Sequence, residues 1–498
     1  MKLKSLSIAI IVATLPTTGV FAAALDRSGQ SISAFLQPGN YFEAGISVLD
    51  PTVEGKEAGE SPKPHRNIGD MGDDYYFPSA AIKLQPTDKF SFGLIYDQPF
   101  GADAAYSGQN AFVSSPTDTV LPKEKLDALA AAGKAKVEAY MKSPEAATAI
   151  GALMGKGMTQ AAATQAVLTE ASKPLVALAA GLKETNDSLG QGSTKVEVDT
   201  QNLSMIFGFQ PIPNLNLFAG GVYQTIKGNV SLRGSAYSIY NGYDAKIKET
   251  GDVGWLAGVA YQIPEIALKA SVTYRSEIDH KVDATETLTV ENALANNPAV
   301  LLGLGVTPDQ IKAMNTPGTT EITTPQSVNL DFQTGIMANT VAFANLRWVN
   351  WKNFSIRPYK FGKYSEALGP LLGTPENPSN ARPKGFNLVE YSEDQISATV
   401  GVGRKLNDQW AGNVSVGWDS GAGNPVSTLG PTEGYWNLGL GVQYSPTPQT
   451  FIAGGVKYFW LGDAKAQTGA QAGQDSRYVA EFTDNNAIAY GLKIGYKF

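Results

Sequence analysis

Along most of the chain, apolar positions alternate with small or polar ones at a period of two, the spacing of a strand with two unlike faces. The C-terminal stretch shows it best. Ile488, Tyr490, Leu492, Ile494, Tyr496 and Phe498 share one face, and Ala489, Gly491, Lys493, Gly495 and Lys497 share the other. The same text recurs at Val328, Leu330 and Phe332 against Asn329, Asp331 and Gln333, and at Trp436, Leu438, Leu440, Val442 and Tyr444 against Asn437, Gly439, Gly441 and Gln443. Read through, the pattern predicts strands at 40–52, 76–85, 89–100, 195–210, 215–229, 253–262, 266–279, 322–338, 341–357, 388–404, 409–419, 434–445, 450–461 and 482–498.

Connections alternate in length. Short ones fall at Gln85-Pro-Thr-Asp, Pro211-Ile-Pro-Asn, Ile263-Pro-Glu, near Asn339 and Thr340, at Leu406-Asn-Asp and at Ser445-Pro-Thr-Pro, with a longer one between each successive pair. An even count of about fourteen strands, both ends on the short-turn side, is what a closed single-chain transmembrane barrel requires. Closure also leaves no unpaired backbone edge in hydrocarbon. A soluble sandwich would share the alternation but point its apolar face inward. Aromatic residues near strand ends favour the membrane: Trp410 with Trp418, Trp348 with Trp351, and the run Tyr458, Phe459, Trp460. The fold expected is therefore all-β, a closed antiparallel transmembrane β-barrel occupying 40–498.

One connection, at about 101–194, is too long for a plain loop. From Pro122 to Gly181 it becomes alanine-rich, with Leu126, Leu129, Val137, Tyr140, Ile150, Leu153, Met154, Met158, Val167, Leu168, Leu175 and Leu178 interspersed with polar residues. This spacing predicts two or three amphipathic helices, broken around Lys142-Ser143-Pro144 and near Lys173-Pro174. A second long loop, about 280–321, carries another helix-like apolar piece around Leu288 to Leu304. Such helices either cap the barrel by packing on one another or offer an apolar collecting surface to a greasy ligand; Met154 and Met158 suit flexible alkyl chains.

Composition narrows the classes. A formal net charge of -7 with no Lys/Arg-rich block argues against nucleic acid, and the absence of cysteine removes disulfides and thiolate chemistry. Lys2 and Lys4, the apolar stretch Leu6 to Leu15 and Ala22, Ala23 and Ala24 have the layout of a cleavable secretory signal over 1–22, with cleavage after Ala22 or as late as Ala24. That apolar stretch falls short of the roughly 20 residues a spanning helix needs. Residues 25–39 precede the first strand and hold a small apolar set, Ile32, Phe35 and Leu36, able to fold into the lumen as a plug, to stay a disordered leader or to extend the first strand. His65 and His280, the two histidines, have no partner at metal spacing, no Gly-x-Ser-x-Gly elbow occurs, and no phosphate-binding loop is present. Neither an enzyme, a metal nor a cofactor is expected.

Thr324-Pro-Gln-Ser-Val-Asn-Leu-Asp-Phe before a mid-barrel strand, Asp97-Gln-Pro-Phe-Gly after the third strand, Trp418-Asp-Ser-Gly-Ala-Gly-Asn-Pro, and the glycine–tyrosine alternation ending at Phe498, itself similar to a barrel assembly signal, stand out along the chain. In their order they resemble the outer-membrane long-chain fatty acid transporters, a group that includes aromatic-hydrocarbon channels. The resemblance implies a plugged barrel with helical extracellular loops that capture ligand, a tighter pocket inside, and an inward kink of the third strand that opens the wall sideways. Gln98, Pro99, Phe100 and Gly101 stand where that kink belongs, proline removing a ladder hydrogen bond and glycine permitting the bend. It further implies passive passage of a long-chain fatty acid or similar hydrophobic molecule, contact with outer-membrane lipid and lipopolysaccharide, insertion by the barrel assembly machinery, and a monomer. The pathway residues expected are Phe100, Leu153, Met154, Met158 and Arg347.

Three points stay open at this stage. A general diffusion porin and an aromatic-hydrocarbon channel share the same strand pattern. The plug of the family is longer than 25–39 and carries an asparagine-proline-alanine motif, where this chain has Leu36-Gln37-Pro38-Gly39, so the lumen is plugged either by this short segment or by part of the 101–194 insertion folded inward. Arg347 has inward parity and either meets a carboxylate cargo or pairs with a lumen acid such as Asp331; Lys493 also has inward parity.

Overall fold

The computed structural model describes residues 25–121, 123–303, 305–314, 316, 318–373 and 377–498; the expected signal at 1–22 lies outside them. Fourteen strands close into an antiparallel ring. In chain order they are β1 (Tyr41–Thr52), β2 (Tyr75–Leu84), β3 (Phe90–Asp97), β4 (Lys195–Ile212), β5 (Leu215–Leu232), β6 (Tyr243–Ile263) and β7 (Leu268–Arg275). They continue as β8 (Ser327–Met337), β9 (Thr340–Val349), β10 (Gln395–Lys405), β11 (Trp410–Asp419), β12 (Tyr435–Tyr444), β13 (Thr450–Leu461) and β14 (Asn486–Lys497). Each strand pairs with its chain neighbours, and β1 meets β14 in register from Tyr41↔Lys497 to Thr52↔Asn486, which closes the ring.

The alternation has the sense that a membrane requires. Tyr490, Leu492 and Ile494 are 50%, 53% and 48% exposed, while Ala487 and Ala489 are fully buried and Lys493 is 9% exposed. The greasy face thus looks out and the small or charged face in, the reverse of a soluble sandwich. Among the described residues no helix is long and apolar enough to cross a membrane.

The strands of the ring follow the predicted order, and the differences lie at their outer ends. β6 begins at Tyr243, well before the predicted 253, because it keeps pairing with β5 beyond the apolar band. The predicted 322–338 strand is two pieces: Thr320–Thr324 leaves the ring to pair with Ile278–Val282, and only Ser327 onward joins β7. The last strand ends at Lys497, and Phe498 stacks on Tyr496 with ring centroids 5.6 Å apart.

In the first long insertion, α1 (Lys123–Met141), α2 (Pro144–Met154) and α3 (Gln160–Asp187) appear. The break at Ser143 is as predicted, the serine hydroxyl capping α2 by accepting from the Ala146 amide at 3.3 Å. The break predicted near Pro174 is absent. Pro174 sits exposed within α3, where water can satisfy the carbonyl its ring strands, and the chain instead turns at Gly157, with φ of +91°. The second insertion holds α4 (Glu291–Asn296), α5 (Pro298–Gly303) and α6 (Pro308–Met314), and α3 packs on α4 and α5. A further helix, α7 (Tyr359–Leu368), stands between β9 and β10, where the sequence reading has only a loop.

Residues 25–39 lie inside the ring. Ile32, Phe35 and Leu36 pack on Ala81, Ile206, Phe218, Leu256 and Phe451 of its inner face, in a cluster that contains no residue of 101–194. The short segment thus fills this part of the lumen, while α3 stays with α4 and α5 at the end of long connections, and Tyr106 and Phe112 of the insertion are buried in a neighbouring cluster with Leu49 and Phe77. The short segment suffices because inward side chains meet it halfway. Phe35 packs edge-on to Phe218 at 5.8 Å, in a space that Gly93 and Gly208 leave open; a Cβ at either would collide with its ring.

Candidate functional site: an apolar chamber and an interrupted wall

At the end of long connections the loops enclose a cavity of about 510 Å³. Leu129 of α1, Val300 of α5, Tyr240, Phe361, Leu371 and Phe386 are among its walls. α7 is held there from outside itself. Its N-terminus has no capping side chain of its own, and the Glu286 carboxylate takes the amides of Lys360 and Phe361, each at 2.9 Å, which satisfies two orphan donors and complements the helix dipole. Phe361 then lies 4.4 Å from the Tyr240 ring, and the Tyr240 hydroxyl donates to the Phe361 carbonyl at 3.1 Å. Burial pushes the phenols of Tyr237 and Tyr240 up, so both stay neutral.

Two cations border the chamber. Arg477 is engaged, bonding Glu60 at 2.7 and 3.0 Å. Burial would raise the Glu60 carboxyl, but the bonds from Arg477 and Gln471 and the charge of Arg477 hold it below the usual range. Lys125 of α1 instead donates to the carbonyls of Leu371 and Gly373 at 3.3 and 3.2 Å, and among the described residues it has no carboxylate partner. Of the predicted pathway residues, Leu153, Met154 and Met158 do not reach this cavity. They lie on α2 and the turn after it, with Met154 and Met158 exposed.

Below the chamber, and sharing Leu388 and Leu429 with it, is a narrow apolar pocket of about 50 Å³ walled by Leu25, Arg27, Tyr75, Gly101, Val196 and Val198. Lower still, a cavity of about 130 Å³ has Phe77, Pro78, Ser79 and Gln98 on one side and the lumen residues Asn329, Lys457 and Lys493 on the other.

The wall beside these two spaces is interrupted. β3 stops at Asp97, and its continuation Gly101–Ala105 rejoins β4 only at Asp199. Gln98, Pro99 and Phe100 form the kink between. On the other flank β2 pairs with β3 from Ala80 to Leu84 only, so Tyr75 to Ser79 have β1 as neighbour and no ladder toward β3. Pro78 falls in this stretch, a position where a missing amide costs no ladder bond; it is the sequence signal for an unpaired edge that the period-two reading passed over.

The N-terminal segment takes the place of the missing partner. Gly101 donates to the Leu25 carbonyl at 2.9 Å and Arg27 donates to the Pro99 carbonyl at 2.6 Å, with Asp26 bridged to Phe100. Ser28 donates to Asp97 at 2.7 Å. Gly101 is required by close approach, since a Cβ would enter the Arg27 guanidinium. Arg27 lies 3.9 Å above the Tyr75 ring, and its Nη2 is buried with no hydrogen-bond partner among the described residues. Phe100, buried against Trp351 at 5.4 Å, anchors the kink inward.

Of its two expected roles, Arg347 takes the pairing with a lumen acid, with Asp26 in place of Asp331. Its guanidinium pairs with Asp26 at 2.6 Å and bonds Asn329 and Gln30, both ions being almost wholly buried. Asp331, the partner expected from sequence, accepts from Asn345 instead. Arg347 therefore fastens the N-terminal segment and is absent from the walls of all three spaces. Lys493 likewise is paired, to Glu43 at 3.1 Å.

Comparison with known proteins agrees with this architecture. Residues 156–498 match the family described as outer membrane protein transport protein (OMPP1/FadL/TodX). The fold is similar to a Pseudomonas aeruginosa FadL homologue at 13% identity, covering 94% of this chain and 92% of that one with a TM-score of 0.56. It is also similar to the P. putida toluene transporter TodX, at 9% identity, 93% and 91% coverage and a TM-score of 0.50. No curated protein sequence matches. α1 and α2 precede the matched stretch. By its fourteen-strand ring, interrupted third strand and matched sequence, the chain belongs to the FadL/TodX family of outer-membrane transport proteins.

Proposed function

We propose that the hydrophobic small molecules this outer-membrane channel passes by diffusion are long-chain fatty acids or similarly built apolar anions. They collect in the outer chamber, move through the narrow pocket beside Arg27, and leave sideways through the opening between β2 and the kink at Gln98, Pro99 and Phe100. The observation that carries the reading is the buried Arg27 Nη2, a guanidinium nitrogen with no hydrogen-bond partner among the described residues, in a mostly apolar pocket. An orphaned buried donor is costly, and a cargo carboxylate is the group that relieves it. Lys125 at the chamber offers a weaker first contact. Burial of alkyl chain, about 0.8 kcal/mol per methylene, supplies the driving force, and successive modest sites keep the cargo moving.

A second reading is favoured by the rings of Tyr240, Phe361 and Phe386 around the chamber, which suit an uncharged monoaromatic hydrocarbon. Uptake of labelled C18 fatty acid and of toluene separates the two in cells lacking their own channel, comparing the wild type with Arg27→Met. Loss of fatty acid uptake with toluene retained supports the fatty acid reading. Toluene uptake alone, unaffected by the substitution, moves the cargo to hydrocarbons.

A further inference from the structure

We infer that Tyr75 is the positioning residue that sets how wide the side opening is, a latch between the narrow pocket and the cavity at the wall. This rests on the sideways exit proposed above. The Tyr75 hydroxyl reaches across the interruption and makes both hydrogen bonds that a ladder neighbour would make: it accepts from the Asp103 amide at 2.8 Å and donates to the Asp103 carbonyl at 2.5 Å. One side chain thus stands in for a missing backbone pair. The opening is framed below by the last β2–β3 pair, Ala80↔Tyr96, and above by this clamp with the Gly72↔Ala104 bridge.

The same ring is a partition. Tyr75 walls the narrow pocket and Phe77, stacked on it at 6.1 Å, walls the cavity beneath. Arg27 lies across both rings, 3.9 Å from one and 5.8 Å from the other. Cargo passing from pocket to opening must move between Arg27 and these rings, and the two bonds to Asp103 fix how far Tyr75 yields. Tyr75 therefore selects by width: a slender chain passes beside the stack, and a broad one passes only when the clamp lets go.

The test uses the full-length protein in cells lacking their own channel, with toluene as the narrow probe and phenanthrene as the broad one. Tyr75→Phe keeps the ring and its stacking and removes the clamp together with the hydroxyl's bond to Arg27. It raises the phenanthrene-to-toluene uptake ratio on the order of fivefold, the effect of about one net hydrogen bond. Ser79→Trp, which fills the opening from the β2 side without touching the clamp, blocks both probes. Heat-modifiable migration of each variant on gels establishes that the barrel is folded. An unchanged ratio in Tyr75→Phe, with Ser79→Trp blocking, overturns the latch and leaves the sideways exit standing. Unimpaired uptake through Ser79→Trp overturns the exit itself, and the latch with it.

Discussion

The outer chamber and the lumen beneath it are both filled from loops and termini, yet they are held by different forces. The chamber is walled by aromatic and aliphatic side chains from at least five connections and keeps about 510 Å³ open. The lumen is closed by fifteen residues of chain tied through ions and amides: Asp26 to Arg347, Gly29 to Asn329 at 2.7 Å, Ser28 to Asp97. An apolar enclosure yields to a hydrophobic guest because its contacts are non-directional. A buried polar network does not, because a half-broken one strands charges. The contrast teaches where the cargo goes: through the part that can give, and out of the wall where the ladder is already missing.

The sharpest way to break that contrast is at the ion pair. Asp26→Ala leaves the Arg347 guanidinium buried without its counter-ion and is expected to cost about 3–5 kcal/mol. The segment then leaves the lumen, which would appear as ion conductance in planar bilayers that the wild type lacks. A closed channel in Asp26→Ala would mean that apolar packing around Phe35 holds the segment by itself. Next in size, Gly101→Ala forces a methyl into the Arg27 guanidinium, an overpacking worth about 1–3 kcal/mol. It is expected to lower thermal stability and fatty acid uptake together, read by melting of the purified barrel and by transport.

Changes in the chamber sharpen the other half. Lys125→Ala removes the bonds that tie α1 to the Leu371 and Gly373 carbonyls, about 1 kcal/mol in all. It should weaken capture, several-fold in the concentration giving half-maximal uptake, with the lumen still sealed. The smallest effect belongs to Glu60→Gln, because the Glu60 carboxylate is itself partly exposed and its ion pair contributes under about 1 kcal/mol. Since the Glu60 carboxyl is held below its unfolded value, its contribution is present above about pH 4.3 and fades as pH falls through the folded value. Proteolysis of the 462–485 connection should rise on acidification in the wild type and be insensitive to it in Glu60→Gln.

How much of this the sequence discloses follows from which forces are local. The fourteen strands are legible because each reports its own two faces at period two, and Ser143-Pro144 marks a helix start by local capping. α7 is passed over although Phe361, Tyr364, Ser365 and Leu368 repeat at helical spacing, because ten residues with a distant cap, Glu286, read as loop. The kink at Gln98, Pro99 and Gly101 is visible as backbone chemistry. Its partners are not: Arg27, Tyr75 and Asp103 come together only once the ring closes. Arg347 shows the same limit. Its inward parity is legible, but its partner Asp26 is 321 positions away, and the nearer Asp331 is the wrong guess.

The central claim, that cargo crosses from an apolar chamber to an interrupted wall and does not descend the lumen, is tested most directly by photo-crosslinking. A C18 fatty acid carrying a diazirine at its terminal methyl would be loaded onto the outside of cells expressing the protein, and the labelled residues mapped by mass spectrometry. The account predicts label around the chamber and at Phe77, Ser79 and Gln98. Label on Lys83, Gln85 and Asn40, the residues at the short-turn end of the lumen, would contradict it.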